Sequence, residues 1–356
     1  MTINRDIIIL GDSLKELKKI PEETFDCIFA DPPYNLQLQN SLQRPDHSKV
    51  KAVNDDWDKF DTLKQYDEFS ISWINECRRV LKPNGTIWMI GSYHNIFRLG
   101  KIVQDKNFWI LNDIIWNKKN PMPNFKGTRF TNAHETLIWA AKSKNSKYTF
   151  NYKSLKCFND DKQMRSDWDL ALCTGAERIK NEKGNKVHST QKPESLLYRI
   201  ILSSTKKGDF ILDPFFGTGT TGAVAKKLGR NYYGIESNKQ YFQSAEERIK
   251  KIKKIDEDFL KTIENKRNEK RIPFGYLIEC GIIEPGLKLF DAKNKIQANV
   301  MADGSILYKD ISGSIHSVGA KAQGIESCNG WSFWHIKMEN KLYPLDHLRE
   351  KIRKNN

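Results

Sequence analysis

The sequence predicts an α/β fold with a doubly wound, mainly parallel sheet, followed by a small α+β domain, and three observations carry that prediction. Short β-branched runs alternate with stretches of helical period from Ile7 to beyond Tyr233. Two of those runs end in Asp-Pro turns, at Asp31-Pro32 and Asp213-Pro214. Beyond Pro273 the texture changes to frequent glycines and short apolar pairs without a long helical period.

The elements follow in order. Ile7 to Leu10 is an apolar run closed by Gly11-Asp12-Ser13, after which Leu14, Leu17 and Ile20 recur at helical spacing until Pro21: strand, turn, helix. Phe25 to Ala30 reads as a buried strand, Asn35 to Phe60 as a polar connection, and Tyr66 to Leu81 as an amphipathic helix ended by Lys82-Pro83-Asn84-Gly85. Thr86 to Ile90, Phe108 to Trp116 and Thr136 to Ala141 read as strands, with a helical piece at Asn95 to Gln104. After a basic middle section come a helix at Pro193 to Ser204, a strand at Phe210 to Leu212, a helix at Thr220 to Leu228 and a strand at Tyr232 to Ile235. Lys239 to about Arg271 reads as one charged helix, since no Gly or Pro interrupts it, and Asp346 to Lys354 as a closing amphipathic one. Domain boundaries are expected at 1–270, including a basic insert at about 116–190, and 271–356.

Composition narrows the function. No apolar run approaches the roughly 18 residues that cross a bilayer, and the polar start lacks a signal-peptide layout, so no membrane association and a cytoplasmic location are expected. Six cysteines lie at least 16 residues apart without a CxxC pair, which argues against a zinc ribbon or a disulfide scaffold. The histidines are scattered, without HxH or HxxxH spacing, so no metal site is expected. Fifty-nine Lys and Arg against 44 Asp and Glu leave a net charge of +15, which points to a polyanionic partner. Residues 116–165 alone carry 11 basic and three acidic side chains, mixed with aromatics and amides as a phosphate-tracking surface requires.

Asp31-Pro32-Pro33-Tyr34 follows a strand where a doubly wound sheet presents its carboxyl ends to ligands. An aromatic exocyclic amine such as adenine N6 is a weak nucleophile because its lone pair is delocalised into the ring. The Asp31 carboxylate and the Pro32 carbonyl could accept its two N–H groups and draw that pair out of conjugation, while the prolines restrict the backbone. Tyr34 offers a face on which an extruded base can stack, worth about 1–3 kcal/mol. Asp213-Pro214-Phe215-Phe216-Gly217-Thr218-Gly219-Thr220 is a second strand-to-helix turn, glycine-rich but without the lysine of a phosphate loop or GxGxxG spacing. Glu236, after the next strand, is placed to bind ribose hydroxyls. A nucleoside cofactor without a demanding phosphate fits, and S-adenosylmethionine is the obvious one.

The order of these motifs, with the basic segment between them, resembles the β class of amino-methylating DNA methyltransferases, whose catalytic half precedes the cofactor half. His188-Ser189-Thr190-Gln191-Lys192-Pro193 is similar to the family segment that helps hold the methionine carboxylate, which implies cofactor roles for Thr190 and Lys192. The resemblance also implies that Asp12 meets the cofactor adenine and Glu236 its ribose, and that Asp213, Phe215, Gly217, Gly219 and Thr220 line the pocket. It implies a Rossmann-like methyltransferase fold with circularly permuted motifs.

A closer resemblance, to the GANTC-specific HinfI-like and CcrM-like adenine-N6 subgroup, rests on Asn35-Leu36-Gln37-Leu38, Arg44-Pro45-Asp46, Asp56-Trp57-Asp58-Lys59-Phe60, Asn120 to Phe125, Asn132 to Thr136 and Asn329 to His335. It implies adenine methylation within 5′-GANTC-3′ in double-stranded DNA, a C-terminal DNA-binding module and a homodimer; base flipping is the expected route to the adenine, and a cognate restriction endonuclease is a candidate partner that the sequence itself does not show. The expected DNA contacts are Arg44, Lys118, Asn124, Lys126, Arg129, Trp331 and Trp334, with Phe333 read as core and His134-Glu135 as a structural pair. The alternatives are a cytosine-N4 or RNA adenine methyltransferase and a DNA-binding regulator that has lost catalysis.

Overall fold

The computed structural model describes residues 3–36, 58–124, 127–182, 184–253, 255–260, 272–339 and 341–355. The chain divides into two compact units, residues 1–265 and 266–356. None of the described helices is long and apolar enough to cross a membrane.

The strands of the first unit are β1 (Ile7–Leu10), β2 (Phe25–Ala30), β3 (Leu81–Gly91), β4 (Trp109–Lys118), β5 (His134–Ala141), β6 (Asp167–Leu170), β7 (Phe210–Asp213) and β8 (Asn231–Glu236). Its α-helices are α1 (Ser13–Lys18), α2 (Leu63–Val80), α3 (Ile96–Asp105), α4 (Tyr152–Phe158), α5 (Glu194–Ser204), α6 (Thr220–Lys227) and α7 (Lys239–Lys250). The strands form one sheet in the order β1-β8-β7-β2-β3-β5-β4-β6. The first five of that order run parallel. β5 runs antiparallel to both β3 and β4, and β6 is parallel to β4. The reversal has a local cause: the link 119–133 contains Pro121 and Pro123 and its described residues form no helix, and β4 and β5 close as a hairpin, with Lys118 N–H donating to the Ala133 carbonyl at 2.8 Å.

Helices cover both faces of the sheet, as a doubly wound fold requires. One face packs Leu17 of α1, Trp73 and Ile74 of α2 and Leu99 of α3; the other packs Leu197 and Ile200 of α5, Val224 of α6 and Ile249 of α7. On α2 the buried positions Tyr66, Ser70, Trp73, Ile74 and Cys77 follow the helical period, and Thr62 caps the helix by accepting from Gln65 N–H at 3.1 Å.

The basic stretch contributes to the sheet: β5, expected as the strand Thr136 to Ala141, and β6 lie within it, and Trp116, Trp139 and Trp168 are buried, Trp139 stacking on Trp88 at 5.1 Å. Two points need correction. β6 and α4 escaped the sequence reading because each is short and set among polar residues. The charged helix stops at Lys250 rather than continuing to Arg271, because Lys250, Lys251, Lys253 and Lys254 would stack like charges at helical spacing. Residues 261–271 lie outside the described residues.

The second unit contains α8 (Phe274–Glu279), β9 (Lys288–Phe290), β10 (Gln297–Val300), β11 (Ile306–Tyr308), β12 (Ile311–Gly313), α9 (Ile315–Gln323), α10 (Gly330–Phe333), β13 (His335–Met338), β14 (Lys341–Pro344) and α11 (Leu345–Asn355). The strands form an antiparallel sheet, β12-β11-β10-β9-β13-β14. Trp331 and Trp334, expected to meet DNA, are instead core residues at 6 % and 0 % exposure. The Trp334 indole N–H donates to the Ile315 carbonyl at 2.9 Å, and the Arg349 guanidinium lies over Trp331 at 4.4 Å. A small unit needs its largest side chains inside, and these indoles fill that need.

Candidate active site

A cavity of about 390 Å³ opens where the carboxyl ends of β2, β7 and β8 meet, and both Asp-Pro turns reach it. Asp31 to Tyr34 leave β2 on one side, and Asp213 to Thr218 leave β7 on the other. β2 and β7 are neighbours, with Ile28 opposite Leu212, so the two motifs are adjacent in space although about 180 residues separate them in the chain.

The turn Asp31 to Tyr34 is held by buried polar groups. Both oxygens of Asp58 accept backbone N–H groups, Oδ1 from Tyr34 at 2.5 Å and Asn35 at 2.8 Å, and Oδ2 from Leu36 at 2.9 Å. The Tyr66 hydroxyl donates to the Pro33 carbonyl at 2.9 Å and accepts from Asn95 Nδ2 at 3.1 Å. Pro33 is thereby occupied, whereas the Pro32 carbonyl accepts no hydrogen bond from the described residues.

Asp31 has two unlike oxygens. Oδ2 pairs with the Lys192 ammonium at 2.9 Å, and Oδ1 is buried without a hydrogen-bond partner among the described residues. Burial pushes the Asp31 carboxyl above its ordinary range, and the Lys192 charge opposes that rise. Lys192 was expected to hold the cofactor; the structure points its ammonium at Asp31 and, at 3.7 Å, at Glu135. Glu135 Oε1 pairs with Lys118 at 2.9 Å and Oε2 accepts from the Tyr34 hydroxyl at 2.9 Å. Two lysines hold the Glu135 carboxyl below its usual value despite burial. The Lys192 ammonium also lies 5.1 Å from the centre of the Tyr34 ring.

Lys118, expected at phosphate, is thus committed inside the site, its side chain 9 % exposed. Glu135, read from the sequence as half of a structural pair with His134, instead meets Tyr34 and Lys118 at the cavity. It opens β5, and an antiparallel strand brings its start to the edge where the parallel strands end. The signal was the proline-bearing link before it.

In the turn after β7, each oxygen of Asp213 has a donor from the protein: Oδ1 accepts from Phe215 N–H at 3.0 Å and Oδ2 from the Thr221 hydroxyl at 2.5 Å. Burial pushes its carboxyl up to about 7. Gly217 N–H donates to Glu236 Oε2 at 2.7 Å, and Asn238 N–H to Oε1 at 2.7 Å, which fixes the Glu236 carboxylate at the cavity wall. Asp12 caps α1 by accepting from Lys15 N–H at 3.0 Å; since Leu10 pairs with Glu236, the two carboxylates flank one rim of the cavity. Phe215 lies against Trp73, with ring centres 5.4 Å apart, and Thr190 and Thr220 line the opposite wall. Gly219 does not reach the cavity. It begins α6 at a φ of 76°, and a Cβ there would come within 2.9 Å of Ala245 Cβ, so its role is turn geometry and helix packing.

Arg129 is exposed and donates to the Tyr93 hydroxyl, its guanidinium 5.6 Å above that ring; Asn124 is half-buried near it in sequence. Arg44 and Lys126 lie outside the described residues. Among the described residues no group of His, Cys, Asp or Glu could hold a metal ion.

The cavity suits a cationic nucleoside. Carboxyl groups outnumber ammonium groups on its walls, apolar rings line the turn after β7, and a fixed carboxylate stands at the end of β8. Residues 25–247 match the family model described as DNA methylase, and residues 256–356 the one described as Restriction Enzyme Adenine Methylase Associated. The chain is 50 % identical over 343 residues to the type II methyltransferase M.HinfI of Haemophilus influenzae, covering 96 % of this chain and 95 % of that protein. It is 47 % identical over 246 residues to the type II methyltransferase M2.LlaDCHI of Lactococcus lactis subsp. cremoris, covering 69 % and 89 %. Among solved structures, the M1.HpyAVI–SAM complex superposes with a TM-score of 0.51 at 29 % identity, covering 68 % of this chain and 98 % of that one. With both Asp-Pro turns facing one cavity and these relatives along its length, the chain belongs to the DNA methylase family.

Proposed function

We propose that the protein transfers a methyl group from S-adenosylmethionine to N6 of adenine in double-stranded DNA, within 5′-GANTC-3′, after the base is flipped into the cavity. The observation that carries this reading is the buried Oδ1 of Asp31, which has no hydrogen-bond partner among the described residues, beside the Pro32 carbonyl, which likewise has none among them. An unsatisfied buried carboxylate oxygen is costly, and the cost is offset when a substrate brings a donor. An amino group brings two N–H donors, one for each acceptor, and Tyr34 gives the base a face on which to stack. Bound S-adenosylmethionine supplies an electrophilic methyl group; Asp12, Glu236 and Phe215 hold it in this reading, with Thr190, Asp213, Gly217 and Thr220 shaping the wall. Asp31 acts by orienting and polarising the amine and need not be a general base, because the nitrogen becomes acidic only as the new C–N bond forms.

The GANTC sequence rests on the resemblance and on the identity to M.HinfI. Arg129 and Asn124, with the exposed rings of Tyr93, Phe97 and Phe130, are the DNA-facing candidates in the first unit. The reading includes a cytoplasmic enzyme acting as a homodimer beside an endonuclease of the same specificity.

The test incubates the protein with tritiated S-adenosylmethionine and duplexes carrying GANTC or a change at each position, followed by nucleoside analysis. Label in N6-methyladenine only with GANTC is the expected result. Label in N4-methylcytosine or in RNA would replace the substrate. Binding without label would favour the regulator.

A further inference from the structure

The four charges beside the catalytic turn are arranged as an alternating row: Asp31, Lys192, Glu135 and Lys118, with contacts of 2.9, 3.7 and 2.9 Å. The three groups beyond Asp31 are nearly closed to solvent, with side chains 8 %, 12 % and 9 % exposed. Taking four charges out of water is expensive, and a row of aliphatic side chains would fill the space at less cost. Nothing in the transfer chemistry itself calls for the two lysines. They need another explanation.

We infer that Lys192 is a positioning residue that keeps Asp31 ionised and turns its free oxygen toward the target amine, and that Glu135 and Lys118 hold Lys192 in that place. The inference rests on the reading of Asp31 as the acceptor of an amine N–H. Burial alone favours the protonated carboxyl, and a protonated Asp31 would present a donor where the amine needs an acceptor. One ammonium on Oδ2 opposes protonation and fixes the carboxylate plane, leaving Oδ1 open. Glu135 works in two ways: it orients Lys192 and, through the Tyr34 hydroxyl, the stacking ring. Lys118 cancels the charge that Glu135 adds, so the row is neutral when all four groups are ionised. The charged and titratable groups facing Asp31 are Lys192, Glu135, Tyr34 and, from the next strand, Asp213.

The signs follow. Removing Lys192 leaves burial unopposed, so the Asp31 carboxyl rises further and the acid limb of the transfer rate moves to higher pH. Removing the Glu135 charge takes a repelling neighbour away, so the acid limb moves to lower pH. A merely structural network would move neither limb in opposite directions.

The experiment measures single-turnover methyl transfer against pH for the full-length protein and its Lys192→Met, Lys192→Gln and Glu135→Gln variants, with S-adenosylmethionine affinity measured by calorimetry. The Lys192 variants are expected to lose about 100-fold in rate near pH 7, recover part of it at higher pH, and shift the acid limb up by about one unit. Cofactor affinity should stay within about threefold of the parent. Glu135→Gln should shift the limb down. If Lys192→Met binds the cofactor poorly, Lys192→Gln and Glu135→Gln still report the shift. Lys192 variants with an unmoved acid limb and a large loss of cofactor affinity would overturn the inference and return Lys192 to the methionine carboxylate. Absence of transfer by the parent protein on every duplex would instead remove the amine-acceptor reading itself.

Discussion

Two Asp-Pro turns leave adjacent parallel strands and face one cavity, yet their aspartates have opposite fates. Asp213 has both oxygens satisfied by its own turn and helix, Phe215 N–H on one and the Thr221 hydroxyl on the other. Asp31 keeps one oxygen without a partner among the described residues and has the other held by a lysine from 161 positions along the chain. The residue type and the proline that follows are the same, although Asp213 ends β7 and Asp31 lies one residue past the end of β2; what separates the two is whether the described residues occupy the lone pairs. Asp213 builds the wall, and Asp31 waits for a donor that the protein does not supply.

The largest effect expected from this contrast is on turnover. Asp31→Ala should lower methyl transfer by about 1000-fold or more with DNA affinity nearly intact, since it removes an acceptor used as the new bond forms. More than a few per cent residual turnover would break the comparison. Asp213→Asn should cost far less in turnover and reveal itself in stability. The Asp213 carboxyl titrates near 7 when folded, above the ordinary 3.8, so the folded state holds its proton more tightly. Its contribution is fully present below about pH 4 and lost as pH rises toward 7, on the order of 2–4 kcal/mol. Urea unfolding of parent and variant at pH 5 and 8 checks this: Asp213→Asn should flatten the decline, and an equally steep decline would show that Asp213 is not its source.

Glu236→Ala sharpens the comparison from a third carboxylate, whose two backbone bonds leave further lone pairs facing the cavity. Cofactor affinity should fall by about tenfold with little change in DNA affinity, read by separate calorimetric titrations. The smallest effect extends the contrast to cations. Arg129→Ala should lower the salt slope of DNA binding by about one, and Lys118→Met should leave that slope unchanged because its charge is already paired inside. Equal slope changes would place both on the duplex.

Much of this arrangement was legible in advance because strand-to-turn patterns are local. Ile7–Leu10, Phe25–Ala30 and both Asp-Pro turns stand where the apolar runs end. What stayed hidden depends on partners far apart in sequence. Nothing near Asp58 shows that it caps the turn 22 to 24 residues earlier, and nothing near Lys118 distinguishes it from a phosphate-binding lysine until β5 brings Glu135 beside it. Trp331 and Trp334 show the converse error: an aromatic run beside a histidine suggests a binding surface, and the packing need of a small unit takes it inside.

The hairpin formed by β4 and β5 sets a boundary for engineering. Lys118 ends one strand and Glu135 lies at the start of the other, so residues 119–133 form a cassette whose two base positions are joined by an ion pair and, in the inference above, support Asp31. A loop exchanged between 119 and 133 could bring a new DNA preference while the charge row stays whole. A graft whose seams fall inside 118 or 135 would carry specificity and inactivation together.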